Sequence, residues 1–216
     1  MKTSHSLVLA TRNPGKLREF RRLLESLDPV TGWLLADLTS FHVPDVEENG
    51  ETFAENARIK ALHAASHTGL VCLGEDSGLE VDALGGEPGV RSHRYSPSGD
   101  DDDNNELLLH RLRGFRRQLR TARYRCAIAV ARPGTVFVEG SGTVEGWITE
   151  DYRGKNGFGY DPLFFSCQLG KTLGEASDDE KDSVSHRRKA LEMILPGLRA
   201  YLSKSHTDPR EEGYPC

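Results

Sequence analysis

Near the start of the chain, Thr11-Arg12-Asn13-Pro14-Gly15-Lys16 joins a short apolar run at 7–10 to a stretch of helical periodicity. Asn13 suits an N-cap and Pro14 the first helical position. Leu17, Phe20, Leu23, Leu24 and Leu27 then recur at helical spacing. The first N–H groups of a helix have no internal partner and attract an anion. A lysine is disfavoured in that first turn by the helix dipole, so Lys16 is useful there if the turn holds phosphate. The turn is not a Walker A loop, because GxxxxGK[ST] is absent. A capped helix bearing a solvated lysine accounts for the same residues equally well.

Carboxylates supply a second chemistry. Glu47 and Glu48 sit in a polar loop at 41–50, just before a helix announced by the capping-box spacing of Thr52 and Glu55. Glu75 and Asp76 follow a buried strand at 70–73 that the pattern ends abruptly at Gly74, with Ser77-Gly78 beside them. Hard oxygen ligands on two segments suit Mg²⁺, which needs only one or two carboxylates besides water and substrate phosphate. A carboxylate at Asp76, flanked by small residues, also has room to take a proton from water. Solvated acidic loops are the plain alternative.

Two further groups could recognise a base. In Gly157-Phe158-Gly159-Tyr160-Asp161-Pro162 the aromatic rings could stack on a base and Asp161 could accept from its N–H groups. A purely structural turn reads the same way. Lys181 and His186-Arg187, at the start of the last helix, offer phosphate or base contacts. His186 alone would equally be a satisfied helix-start histidine.

The elements that must position these groups alternate. The pattern predicts strands near 7–10, 33–35 and 70–73, resuming at 79–83. It predicts helices at 13–28, from Thr52 onward, at 106–119 and at 185–202, the last bent near Pro196. Residues 123–131 and 135–149 read as antiparallel strands. The mixture argues for an α/β or α+β fold around a mixed sheet. One domain is expected over 1–202, with a flexible tail at 203–216.

Composition excludes several classes. With 28 basic against 33 acidic residues the chain carries net charge −5, and its basic runs are short, so no nucleic-acid partner is expected. No stretch approaches the ~18 apolar residues of a membrane span, and residues 1–9 lack a signal peptide's apolar run. The four cysteines have no CxxC spacing, which suggests neither zinc nor a disulfide framework and fits a reducing, cytoplasmic setting.

Taken together, LATRNPGK at 9–16, ENGETFAENA at 48–57, GEDSGLEVDALGGEPGV at 74–90, GFGYDPLFF at 157–165 and EKDSVSHRRKAL at 180–191 resemble the inosine/xanthosine triphosphate pyrophosphatase family. The resemblance spans residues 7–202. It implies an elongated mixed β-sheet flanked by helices, with two lobes around a central cleft. It also implies Mg²⁺, a homodimer, and cleavage of non-standard purine triphosphates (ITP, dITP, XTP) to monophosphate and pyrophosphate. Carried over, Thr11 to Lys16 would cradle the triphosphate, with Lys16 on its charge. Asp76 would be general base or metal carboxylate. Glu48 or its neighbour Glu47 would help hold Mg²⁺, with Glu75 a further metal candidate. Ser77 would touch substrate. Phe158, Gly159, Tyr160 and Asp161 would line the base pocket, and Lys181, His186 and Arg187 would close on base and phosphates. Lys60 is a further substrate candidate.

Three positions depart from the family's usual pattern: Arg12 stands where glycine is frequent, Glu75 where aspartate is, and His93 where alanine is. Two alternatives stay open. The same fold could act on another nucleotide set, such as modified pyrimidines, or bind triphosphates as a sensor without turnover.

Overall fold

The computed structural model describes residues 5–29 and 33–204. Apolar residues 7–9 lie in β1 (His5–Leu9), which pairs in parallel with β2 (Trp33–Asp37) and β3 (Cys72–Val81). β3 pairs antiparallel with β4 (Thr121–Arg132), and β4 with β5 (Thr135–Ile148). Short strands β6 (Phe164–Ser166) and β7 (Lys171–Thr172) complete a seven-stranded mixed sheet of order β2-β1-β3-β4-β5-β6-β7.

Helices pack on both faces. Helix α1 (Pro14–Leu27) starts where expected, with the Asn13 side chain accepting from the Lys16 amide. Helix α2 (Phe53–Thr68) opens on the Thr52/Glu55 capping box and stops at Gly69, whose φ of 70° is the left-handed conformation of a helix end. Leu7, Leu9, Phe20, Leu23, Leu191 and Ile194 form one core, between the sheet, α1 and α5 (His186–Lys204). Val8, Ala57, Ala61, Ala64 and Cys72 form a second on the opposite face, beneath α2. A third, with Leu79, Leu108, Tyr124, Val144 and Phe164, covers the far half of the long strands together with α3 (Asp101–Arg111).

Four expectations change. β3 does not end at residue 73: it runs unbroken to Val81 because Gly74 to Gly78 keep their pairing with β4. Helix α3 starts at Asp101 rather than 106, since three aspartates occupy its positive N-terminal turn, and it stops at Arg111, well before 119. A short helix, α4 (Asp178–Val184), precedes α5, begun by a second capping box from Ser177 and Glu180. Pro196 lies inside α5, which runs on to Lys204. Residues 203 and 204 of the expected tail thus belong to α5, and 205–216 fall outside the described residues. Among the described residues no helix is long and apolar enough to cross a membrane.

Candidate active site

Successive side chains of a strand point to opposite faces, and β3 uses this alternation in its polar stretch. Asp76 faces α2. There Lys60 Nζ lies 2.8 Å from Oδ1 and Asn56 Nδ2 donates to Oδ2 at 3.2 Å. Glycine on either side, at 74 and 78, lets the neighbouring backbone settle on the strand. A Cβ at Gly74 would stand 2.1 Å from the Ala57 carbonyl oxygen, and one at Gly78 would stand 2.5 Å from that of Gly89. Lys60 also reaches Glu48 Oε2 at 2.7 Å, so one ammonium gathers carboxylates from two segments.

Glu75 and Ser77 face the other way, towards α1 and α5. The Arg187 guanidinium divides its donors three ways: Nε to Glu75 Oε1 at 3.1 Å, Nη1 to Glu19 Oε2 at 3.0 Å, and Nη2 to Ser77 Oγ at 2.8 Å. Ser185 Oγ donates to the other oxygen of Glu19 at 2.8 Å. Lys16 Nζ sits 2.8 Å from Glu75 Oε2, so each oxygen of this buried carboxylate faces a cation.

Burial would raise the Glu19 carboxyl, but Arg187 and Lys181 outweigh it and hold the group at about 2. Glu75 is likewise driven well below the usual carboxylate range: burial opposes this, and Lys16, Arg187 and Lys60 prevail. Asp76 goes the other way. Burial raises its carboxyl, and Lys60 only partly offsets that. Of two adjacent carboxylates, one is thereby kept ionised and the other made the stronger base.

Beyond Ser77 lies a cavity of about 70 Å³ lined by Phe158, Gly159, Tyr160, Asp161, Lys181 and His186, among others. The Phe158 ring rests over Lys181 Nζ and the Arg187 guanidinium, at 4.5 and 5.2 Å. The volume is far below the ~300 Å³ at the low end for ligand pockets, so a ligand larger than a few atoms would have to part the lining. Asp161 is turned inward: its Oδ2 accepts from Lys181 Nζ at 2.6 Å and the Phe158 amide at 2.9 Å. Tyr160 is 4% exposed, and its hydroxyl donates to the Ser92 carbonyl at 2.8 Å.

An adjoining cavity of about 250 Å³ is lined by Thr11, Arg12, Asn13, Lys16, Glu48 and Lys60. Asn13, Lys16 and His93 line both cavities, marking where a ligand would pass from one to the other. Arg12 is engaged by Asp45 and by the Val43 carbonyl, fastening the 41–50 loop to the α1 turn. Pro14 opens α1 on the same turn, and Gly15 is packed so closely that a Cβ there would be 3.0 Å from the Phe158 ring. Glu47 has no contact with this group among the described residues. A roomier cavity of about 930 Å³, near Glu80, Arg91 and Arg125, is lined by none of Lys16, Glu48 and Lys60, so size does not locate the chemistry.

The motifs that carry these residues lie within the stretch that decides kinship: the model of the Ham1 family matches residues 7–196. The chain belongs to the Ham1 family. The dITP/XTP pyrophosphatase of Geobacter sulfurreducens is 49% identical over 193 residues, covering 89% of this chain and 96% of its own. That of Methylococcus capsulatus is 44% identical over 199 residues, covering 90% and 96%. The solved structure of a HAM1 protein from Coxiella burnetii matches with a TM-score of 0.78 at 39% identity, over 93% of this chain and 99% of that one.

In this Ham1 chain the site contains three partners that the motifs did not single out. Asn56 lay unremarked inside ENGETFAENA. Glu19 could have been noticed as a charge one residue from Phe20 on the apolar face of α1. Tyr124 has no sequence signal beyond lying in a strand. Among the described residues no three carboxylate, histidine or cysteine side chains cluster as a ready metal site. The donor set still fits a hard cation. Glu48 and Asp76 already share one, Lys60, on the α2 side of β3, while the Glu75 carboxylate is held on the other face by Lys16 and Arg187.

Proposed function

We propose that this chain hydrolyses non-standard purine nucleoside triphosphates, ITP, dITP and XTP, to the monophosphate and pyrophosphate. The observation that carries the reading is the division of β3: Asp76 turns to Lys60, which with Glu48 and Lys16 lines the cavity bounded by the α1 turn, while Ser77 opens on the aromatic cavity. The triphosphate belongs in the first and the base in the second. The names of the relatives at 44% and 49% identity, dITP/XTP pyrophosphatase, support two of these substrates directly.

In this reading Asp76, held by Asn56 and Lys60, takes a proton from water as its oxygen attacks the α-phosphorus. The bond from that phosphorus to the bridging oxygen breaks, and pyrophosphate leaves with the electron pair. Lys16 and the first amides of α1 face the charge that develops. Mg²⁺ would be held by Glu48 and Asp76, with Glu75 in reserve, and would neutralise phosphate charge. His186 is buried, and burial with Arg187 beside it keeps the imidazole neutral. A neutral ring can donate one N–H to the 6-oxo group of hypoxanthine or xanthine. The 6-amino group of ATP would leave that donor unpaired, at about 1–3 kcal/mol.

The test is hydrolysis of ITP, XTP, dITP, GTP and ATP with and without Mg²⁺, with monophosphate, pyrophosphate and orthophosphate measured separately. Pyrophosphate and IMP formed well above the ATP rate, and only with Mg²⁺, is the expected result. Orthophosphate with a diphosphate, or triphosphate binding without turnover, sinks the reading and favours a sensor. The enzyme is further proposed to act in the cytoplasm as a homodimer, to be checked by light scattering.

A further inference from the structure

The His186 imidazole has no hydrogen bond among the described residues, and its Nε2 is buried without a partner. Its final torsion is broad and two-fold in nature, so packing must set the plane of the ring. That packing comes from β4. The Tyr124 ring lies against His186 with centroids 4.9 Å apart and planes 6° from parallel. Tyr124 is itself fixed: it is 8% exposed, its ring meets Phe164 at 4.7 Å, and its hydroxyl donates to Asp161 Oδ1 at 3.4 Å. Asp161 in turn anchors Lys181 and the Phe158 amide.

We propose that Tyr124 is a positioning residue for base selection, its ring face setting the plane of His186 and hence the direction in which Nε2 meets the purine 6-position. The inference rests on the proposed function and deepens it. A hydrogen bond weakens steeply as its angle closes, so a donor free to tip discriminates less between an oxo and an amino partner. Stacking restrains that tilt. The hydroxyl acts on Asp161, at a separate point of the cavity, so its loss should leave His186 in place.

The experiment measures kcat and KM for ITP and ATP in the wild type and in Tyr124→Phe, Tyr124→Leu and Tyr124→Met. The ratio of the two kcat/KM values is independent of how much protein is folded, and the shared triphosphate cancels the cleavage machinery. Tyr124→Phe should keep the ITP-to-ATP ratio within about twofold. Tyr124→Leu and Tyr124→Met should lower it about tenfold, chiefly through a higher KM for ITP. An unchanged ratio in the folded leucine or methionine variant overturns the proposal. So does an equal fall in Tyr124→Phe, which would place the effect in the hydroxyl. A wild type without preference for ITP refutes the proposed function instead, and is seen before any variant is made.

Discussion

Arg187 Nη1 and Glu19 Oε2 meet at 3.0 Å in the interior, both side chains almost wholly buried, and tie the first helix to the last across 168 positions of sequence. The same guanidinium serves Glu75 and Ser77, so it closes a polar core that neither helix could close alone. Replacing it takes the hydrogen-bonding guanidinium from two buried carboxylates, leaving Glu19 to Lys181 and Glu75 to Lys16. Arg187→Met should cost about 3–5 kcal/mol of stability in urea denaturation. Arg187→Lys keeps the charge but loses the fork, so it should recover only part of that stability.

Acid should find the same weak point. Glu19 titrates at about 2 when folded, below its ordinary 4.5, so its contribution is fully present above 4.5 and is lost as pH falls towards 2. By linkage it amounts to roughly 3 kcal/mol. Denaturant midpoints measured across that window should fall more steeply for the wild type than for Glu19→Gln. Parallel curves would show that Glu19 does not carry the acid sensitivity.

Asp76→Asn keeps the shape of the side chain and removes its basicity. Turnover of ITP should fall by about 10²–10⁴, the range associated with losing a general base. Substrate binding, followed by calorimetry, should survive. Turnover that persists would remove Asp76 from the role of base.

Gly74→Ala tests the contact between α2 and β3. The new methyl would stand 2.1 Å from the Ala57 carbonyl oxygen and 2.5 Å from the Ala61 amide, both backbone atoms that cannot turn aside. A shift of α2 would carry Lys60 and Asn56 away from Asp76. The variant should lose about 1–3 kcal/mol in thermal or denaturant unfolding, and kcat should fall with it. Full activity at reduced stability would separate the packing from the chemistry.

Local signals explain which parts could be read from sequence. The α1 turn was legible because Asn13, Pro14 and the leucine spacing agree. The start of α2 was legible through Thr52 and Glu55. The course of β3 was not, because a strand interior made of Gly, Glu, Asp, Ser and Gly has the composition of a loop, and only pairing with β4 overrides that. The start of α3 was hidden for a related reason: Asp101 to Asp103 look like a solvated loop until the helix dipole is counted. In the candidate site, motif order brought Lys16, Asp76 and Arg187 forward. Glu19 and Tyr124 stayed hidden because their importance lies in what the fold brings opposite them.

The alternation along β3 has a consequence for how such a protein can change. Position 76 answers to Lys60 and, in the proposed function, to the cutting of the triphosphate, while 75 and 77 answer to Arg187 on the opposite face. On that reading a substitution at 77 can alter which nucleotide is chosen without touching the Asp76–Lys60 pair. An insertion of a single residue would exchange the two sides at a stroke. The strand works as a partition: point mutation can explore new substrates step by step, whereas a shift of register is closed to it.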